Sequence, residues 1–156
     1  MKYTGNACPA GWTFLQANGK GKCYQFVLNG RDHLPWYSTF QYCQSIGAKT
    51  LHVENWGEQN AIARYFSEWN RLGIGRMWLG LSDFDHDHPK PDLSCNFRYQ
   101  DSYGDPAFTN WDQTTEQPKC EEKANSCAYV NTANNKWYTT NCNAMEAFGC
   151  EARVRN

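Results

Sequence analysis

The chain has 156 residues and a formal charge of -1, from 15 Lys and Arg against 16 Asp and Glu spread along its length. No basic stripe offers itself to nucleic acid or anionic lipid, and no apolar run approaches the length a bilayer demands, so neither nucleic acid binding nor membrane insertion is expected. Length alone favours one folded unit over residues 1–156. Met1-Lys2-Tyr3 opens a polar segment without a signal-peptide core, so an exported form would have shed its signal.

Eight cysteines and aromatics at 15% point to an oxidising compartment, where loops are held by disulfides and single large side chains. A zinc site would want close pairs such as C-x-x-C, and none occurs. The expected localisation is therefore secreted or extracellular. Spacing alone leaves the pairing among eight cysteines open.

In chain order, Cys8 to Cys23 surrounds the turn signal Asn18-Gly19-Lys20-Gly21 and reads as a hairpin, with Tyr24–Val27 continuing as a strand. From Leu34 to Ile46, Pro35 marks a helix start, Trp36, Phe40 and Cys43 share one face, and Gly47 stops the helix. Lys49 to Val53 is a short strand candidate. Asn55 and Glu58 resemble a capping box, followed by a second helix to about Asn70 with Ala61, Ile62, Tyr65, Phe66 and Trp69 on its apolar face.

Met77–Leu81 is short and apolar, the pattern of a buried strand, and Ser82 to Asn96 is an exposed loop. Within that loop Asp83-Phe84-Asp85-His86-Asp87-His88 offers two histidines to a metal, but reads better as a solvated acidic turn. Weaker strands follow at Phe97–Tyr99, Ser126–Val130, Lys136–Tyr138 and Ala147–Arg153. Two helices early and short strands elsewhere predict an α+β fold with short antiparallel sheets. Asn110 to Cys142 stands apart: Trp111 and Trp137, Pro118, Cys120, Cys127 and Cys142 are set among polar side chains with almost no aliphatic residue. Such a segment must be fixed by staples rather than by apolar burial.

CPAGW with the later Cys23-Tyr24, WLGL at residues 78–81, TNW at 109–111, Pro118, CAYV, the KW before NC, and GCE at 149–151 together resemble the C-type lectin-like domain in its long form. The resemblance implies disulfides Cys8–Cys23, Cys43–Cys150 and Cys127–Cys142, leaving Cys95 and Cys120, outside the family's usual set, to pair with each other. It covers residues 8–151, the expected core of the domain, and implies a recognition module rather than an enzyme, with Asn110–Cys142 as the family's long loop region.

Many members of that family hold a calcium ion in this loop and coordinate sugar hydroxyls through it. The matching positions here are Gln117, Pro118 and Lys119, then Asn125, then Tyr138 and Thr139. An ammonium has donors only and repels a cation, so the family's calcium site is expected to be lost. Glu121, Glu122 and Asp112 lie nearby and leave calcium possible at a non-family site. Gln117, Lys119, Glu121, Glu122, Asn125, Tyr138 and Thr139 are the candidate ligand-binding residues, for a glycan bound without calcium or, alternatively, for an extracellular protein partner or self-association. Fish antifreeze proteins of the family share the CPAGW opening, and Thr114-Thr115 and Thr139-Thr140 are a hint of ice binding. Trp111 and Trp137 are read as buried props for the loops.

Overall fold

The computed structural model describes residues 8–17, 19–67, 75–84, 95–102, 105–120 and 126–153. The chain forms β1 (Thr13–Ala17), β2 (Lys20–Val27), α1 (Trp36–Ser45), β3 (Lys49–Thr50), α2 (Trp56–Ser67), β4 (Arg76–Asp83), β5 (Arg98–Tyr99), β6 (Ser126–Asn131), β7 (Trp137–Asn141) and β8 (Phe148–Arg153). Two antiparallel sheets result, ordered β1-β2-β8-β3 and β5-β4-β6-β7. The expected α+β architecture with two helices, short antiparallel sheets and a disulfide-stapled loop region is what the chain adopts.

All four disulfides form as anticipated: Cys8–Cys23, Cys43–Cys150, Cys95–Cys120 and Cys127–Cys142. Cys43–Cys150 ties α1 to β8 across 107 residues of sequence, while Cys95–Cys120 ties the segment after β4 to the residues following Pro118.

β4, in the second sheet, lies between two hydrophobic clusters. Met77, Leu79 and Leu81 face a core with Ile62, Phe66, Val130 and Trp137, while Trp78 faces a second cluster with Trp36, Tyr129 and Phe148. Burial on both faces explains why this strand is a continuous apolar run rather than an alternating one. Each buried indole finds an acceptor: Trp36 Nε1 donates to Leu79 O and Trp78 Nε1 to Leu34 O, both at 2.8 Å. At Gly80 a Cβ would stand 2.0 Å from Thr50 Oγ1, so only glycine lets β4 pass this close to the β3 segment, where Gly80 N donates to Leu51 O.

Element edges differ from the sequence expectation in instructive ways. Only Lys49 and Thr50 of the 49–53 candidate pair with β8, because His52 N then turns to Glu151 Oε1 and Leu51 O to Gly80 N, taking both out of the ladder. The capping box at α2 is shifted: Glu58 N donates to Asn55 Oδ1, but the reciprocal arm of Glu58 reaches Glu54 N. β7 runs past Tyr138 to Asn141 because it pairs with β6 along its whole length. Trp69 and the Asp85–His88 part of the acidic turn lie outside the described residues.

A buried ionic network locks the first sheet to α2. Lys22, only 8% exposed, reaches Glu151 at 2.9 Å, Glu58 at 3.0 Å and Glu54 at 3.4 Å. Nearby, His52 Nδ1 lies 2.7 Å from Thr50 O and Nε2 lies 3.2 Å from Asp101, whose other oxygen accepts from Thr50 N and Oγ1. Burial works against the charged imidazole, but Asp101 and Glu151 outweigh it and raise its pKa above the ordinary 6.5. Burial likewise opposes the Asp101 carboxylate, and His52 with Thr50 outweighs it, lowering its pKa below 3.8.

The signs set a window. A raised His pKa stabilises the fold below pH 6.5 and loses that contribution as pH rises through the folded value. A lowered Asp pKa stabilises above 3.8 and loses its contribution as pH falls through the folded value. Asp101→Asn is therefore expected to cost most between these limits. Its deficit in melting temperature relative to the parent should shrink as pH rises through the raised folded value of His52, where the neutral ring no longer needs the carboxylate.

Candidate functional site

The long loop is laid against β7 by backbone bonds. Trp137 N donates to Asn110 O at 2.9 Å and Asp112 N to Trp137 O at 3.1 Å, so residues 110–112 run beside the strand. Trp137 is fully buried and donates through Nε1 to Gln59 Oε1 of α2; Trp111, half-buried, meets it edge-on at 5.7 Å. Both tryptophans prop the loop from beneath.

Asp112 then caps a 3-10 turn at Gln113–Thr115, its Oδ1 accepting from Thr114 N at 3.0 Å and Thr114 Oγ1 at 2.6 Å. Its Oδ2 accepts the Tyr138 hydroxyl proton, and that hydroxyl oxygen in turn accepts from Asn134 Nδ2 at 2.7 Å. The Thr114 hydroxyl, with Tyr138, holds the Asp112 carboxyl below the usual carboxylate range, and the same bond holds the Tyr138 phenol above its ordinary value.

Glu116, at φ 59°, reverses the chain, and the Gln117–Pro118 peptide is cis. This turn brings Gln117 and Lys119 onto Thr139. Gln117 Oε1 accepts from Thr139 N and faces its hydroxyl, both at 3.1 Å; Thr139 Oγ1 donates best to Lys119 O at 2.7 Å and accepts from Lys119 N at 3.2 Å. Three candidates thus meet in one cross-link, with the Lys119 side chain exposed, while Tyr138 joins the Asp112–Asn134 chain next to it. Glu121, Glu122 and Asn125 lie outside the described residues. Asn134 was not legible as part of this face; its only signal was the turn composition of Asn131 to Asn135.

Calcium wants about six to eight oxygen ligands, several of them carboxylate. At the family's positions Gln117 Oε1 accepts the Thr139 N–H, the Thr139 hydroxyl donates to Lys119 O and Lys119 carries an ammonium, while both oxygens of nearby Asp112 already accept hydrogen bonds. Among the described residues, these groups do not make up such a set. A second cluster, Asp83 with Cys95 and Cys120, brings a carboxylate within 4.8 Å of two sulfurs, but both sulfurs are in one disulfide and are not thiolate ligands.

The architecture, with its two helices, buried β4, loop stapled by Cys127–Cys142 and cis Gln117–Pro118, is that of a C-type lectin-like domain. The Lectin C-type domain model matches residues 32–152, and the chain belongs to that family. Among curated relatives, the CD209 antigen of Papio hamadryas is 35% identical over 80 residues, 51% of this chain but 19% of that protein. CD209 antigen-like protein 2 of Macaca mulatta is 31% identical over 104 residues, 64% of this chain and 36% of that protein. The chain thus spans about a fifth of the length of the CD209 antigen it matches. Similar solved structures include the herring type II antifreeze protein (TM-score 0.70, 17% identity, 95% of this chain and 100% of that one) and an SPL-1–GlcNAc complex (0.69, 20%, 93% and 94%).

Proposed function

We propose that the chain is an extracellular, non-catalytic recognition module that binds a glycan through its long-loop face without a bridging calcium ion. The observation that carries this reading is the Gln117–Thr139–Lys119 cross-link: protein hydrogen bonds hold the cis-proline turn against β7, the place where an ion would otherwise tie loop to strand. A loop fixed in this way presents Lys119, Tyr138 and Asn134 in a set geometry, and prior ordering of a polar surface lowers the entropic cost of binding a polyhydroxylated ligand. Four disulfides support an oxidising, extracellular setting.

Thr139→Val keeps the shape and removes the hydroxyl, which should destabilise the fold by about 1 kcal/mol and weaken glycan binding by roughly tenfold. Calorimetric titration of calcium into the parent should release no heat from this loop; an ion bound with Gln117 and Thr139 as ligands would contradict the reading.

A second reading, a protein-binding or self-associating module, is favoured by an aromatic ladder at the start of α1. Tyr37, 57% exposed, stacks on Phe40, Phe40 on Trp36, and Trp36 meets the partly exposed Phe84. Ice binding has less support: Thr114 and Thr115 lie in a short 3-10 turn, and Thr139 and Thr140 on β7.

A further inference from the structure

Where the β3–β8 edge meets residues 99–102 and 105–107, a cleft of about 590 Å³ opens. Its lining includes Lys49, His52, Glu54, Tyr99, Asp105 and Arg153. The floor is rigid. Tyr99 stacks on His52 at 4.1 Å between ring centres, and its hydroxyl is fixed between Val53 N and Val53 O.

Most of the charge around this cleft is already paired. Glu54 and Glu151 meet Lys22, His52 meets Asp101, and Asp105 meets Arg98 at 3.4 Å. The exceptions are Lys49 and Arg153, both exposed and neither ion-paired among the described residues. Lys49 stands opposite Glu151 in the β3–β8 ladder, and Arg153 follows two residues along on the same side of β8. Lys49 and Arg153, the latter close enough to Glu54 to help lower that carboxyl's pKa, thus border one polar cleft without a direct ion pair of their own among the described residues.

Trp56, 57% exposed, is outside this lining but close to it along the chain. It follows the lining residue Glu54 by two positions and rests edge-on against Phe108 at 4.9 Å; Phe108 follows the lining residue Ala107 and is itself seated on Trp137. An exposed indole held in place from behind offers a flat apolar face of the kind that takes the C–H side of a sugar ring. The Ser102 hydroxyl and the Glu54 and Asp105 carboxylates are acceptors for ring hydroxyls, and Lys49 and Arg153 attract an anionic substituent.

We infer that this cleft is a second ligand site, for a saccharide carrying a carboxylate or sulfate group, with Lys49 and Arg153 holding the anion and Trp56 the ring. It stands apart from the loop-face reading. The net charge of -1 makes a general attraction of polyanions to the whole surface a poor substitute for such a site.

The test is binding of a heparin-derived tetrasaccharide and of sialyllactose to the intact chain at 0.15 M salt, with lactose and inorganic sulfate as comparisons. At least one of the two anionic saccharides should bind: binding of sialyllactose shows that a carboxylate suffices, and binding of the heparin fragment alone, which carries both groups, shows that sulfate is required. The double variant K49A/R153A should lose affinity by roughly 30-fold and W56A by roughly tenfold, while K119A on the loop face binds as the parent does. These side chains are exposed, so melting temperatures should stay close to the parent's. The inference is overturned if neither anionic saccharide binds, if lactose or inorganic sulfate binds as well, or if K49A/R153A leaves the affinity unchanged.

Discussion

Replacing Lys22 by methionine should destabilise the fold by about 3–5 kcal/mol, among the largest effects of any single substitution. The Lys22 ammonium lies within 3.4 Å of three carboxylates, two of which, Glu58 and Glu151, have side chains at most 12% exposed. Burial alone would lower the pKa of this lysine, but Glu151 and Glu58 outweigh it and hold it charged. Methionine fills the same space and leaves the acids facing each other with no counter-ion.

The pH dependence separates this from simple loss of packing. Burial raises the Glu151 carboxyl above the usual carboxylate range even with Lys22 pulling the other way, and without Lys22 the rise is larger. A carboxyl with a raised folded pKa binds more protons folded than unfolded, so the variant's stability should recover as pH falls from 7 toward 4. The double change K22M/E151Q, which keeps an acceptor for His52 N, should be more stable than K22M alone. Chemical denaturation of the three proteins at pH 7 and pH 4.5 checks both statements.

Trp137→Ala should cost a similar amount, about 3–5 kcal/mol, through the cavity it leaves. The indole is fully buried, in edge-on contact with Trp111 and Phe108 at 5.7 Å each, and gives its N–H to Gln59 Oε1. Gln59 is itself buried, and its Nε2 has no hydrogen-bond partner among the described residues, so losing the indole would strand the whole amide. Trp137→Phe isolates that last contribution: it should cost about 1–3 kcal/mol while keeping most of the ring packing. Because residues 110–112 lie along Trp137, limited proteolysis should also cut near the 110–120 segment faster in the alanine variant than in the phenylalanine one.

What could be read in the sequence was whatever has a local or a family-specific signature. Trp36, Phe40 and Cys43 at helical spacing, the apolar Met77–Leu81 run and the order of the cysteines each place a residue on an element without reference to distant partners. The 22-residue reach from Gln117 to Thr139 has no such signature, since it depends on a cis-proline turn laying two polar segments side by side. The same holds for His52 and Asp101, and for Lys22, which lies in a polar hairpin sequence that by composition belongs to the surface. Its burial is decided by Glu58 and Glu151, far along the chain. The Lys49–Arg153 cleft is likewise assembled from five separate segments. Side chains that form one site by tertiary contact show no spacing pattern at all.

The central claim is recognition of a glycan by a lectin-like loop that is pinned by its own side chains rather than by an ion. A glycan array probed in parallel with calcium and with chelator tests it most directly. The account predicts that the same glycans bind with the same strength in both conditions, and that Thr139→Val weakens them in both. Binding abolished by chelator, or no glycan bound in either condition, would contradict it.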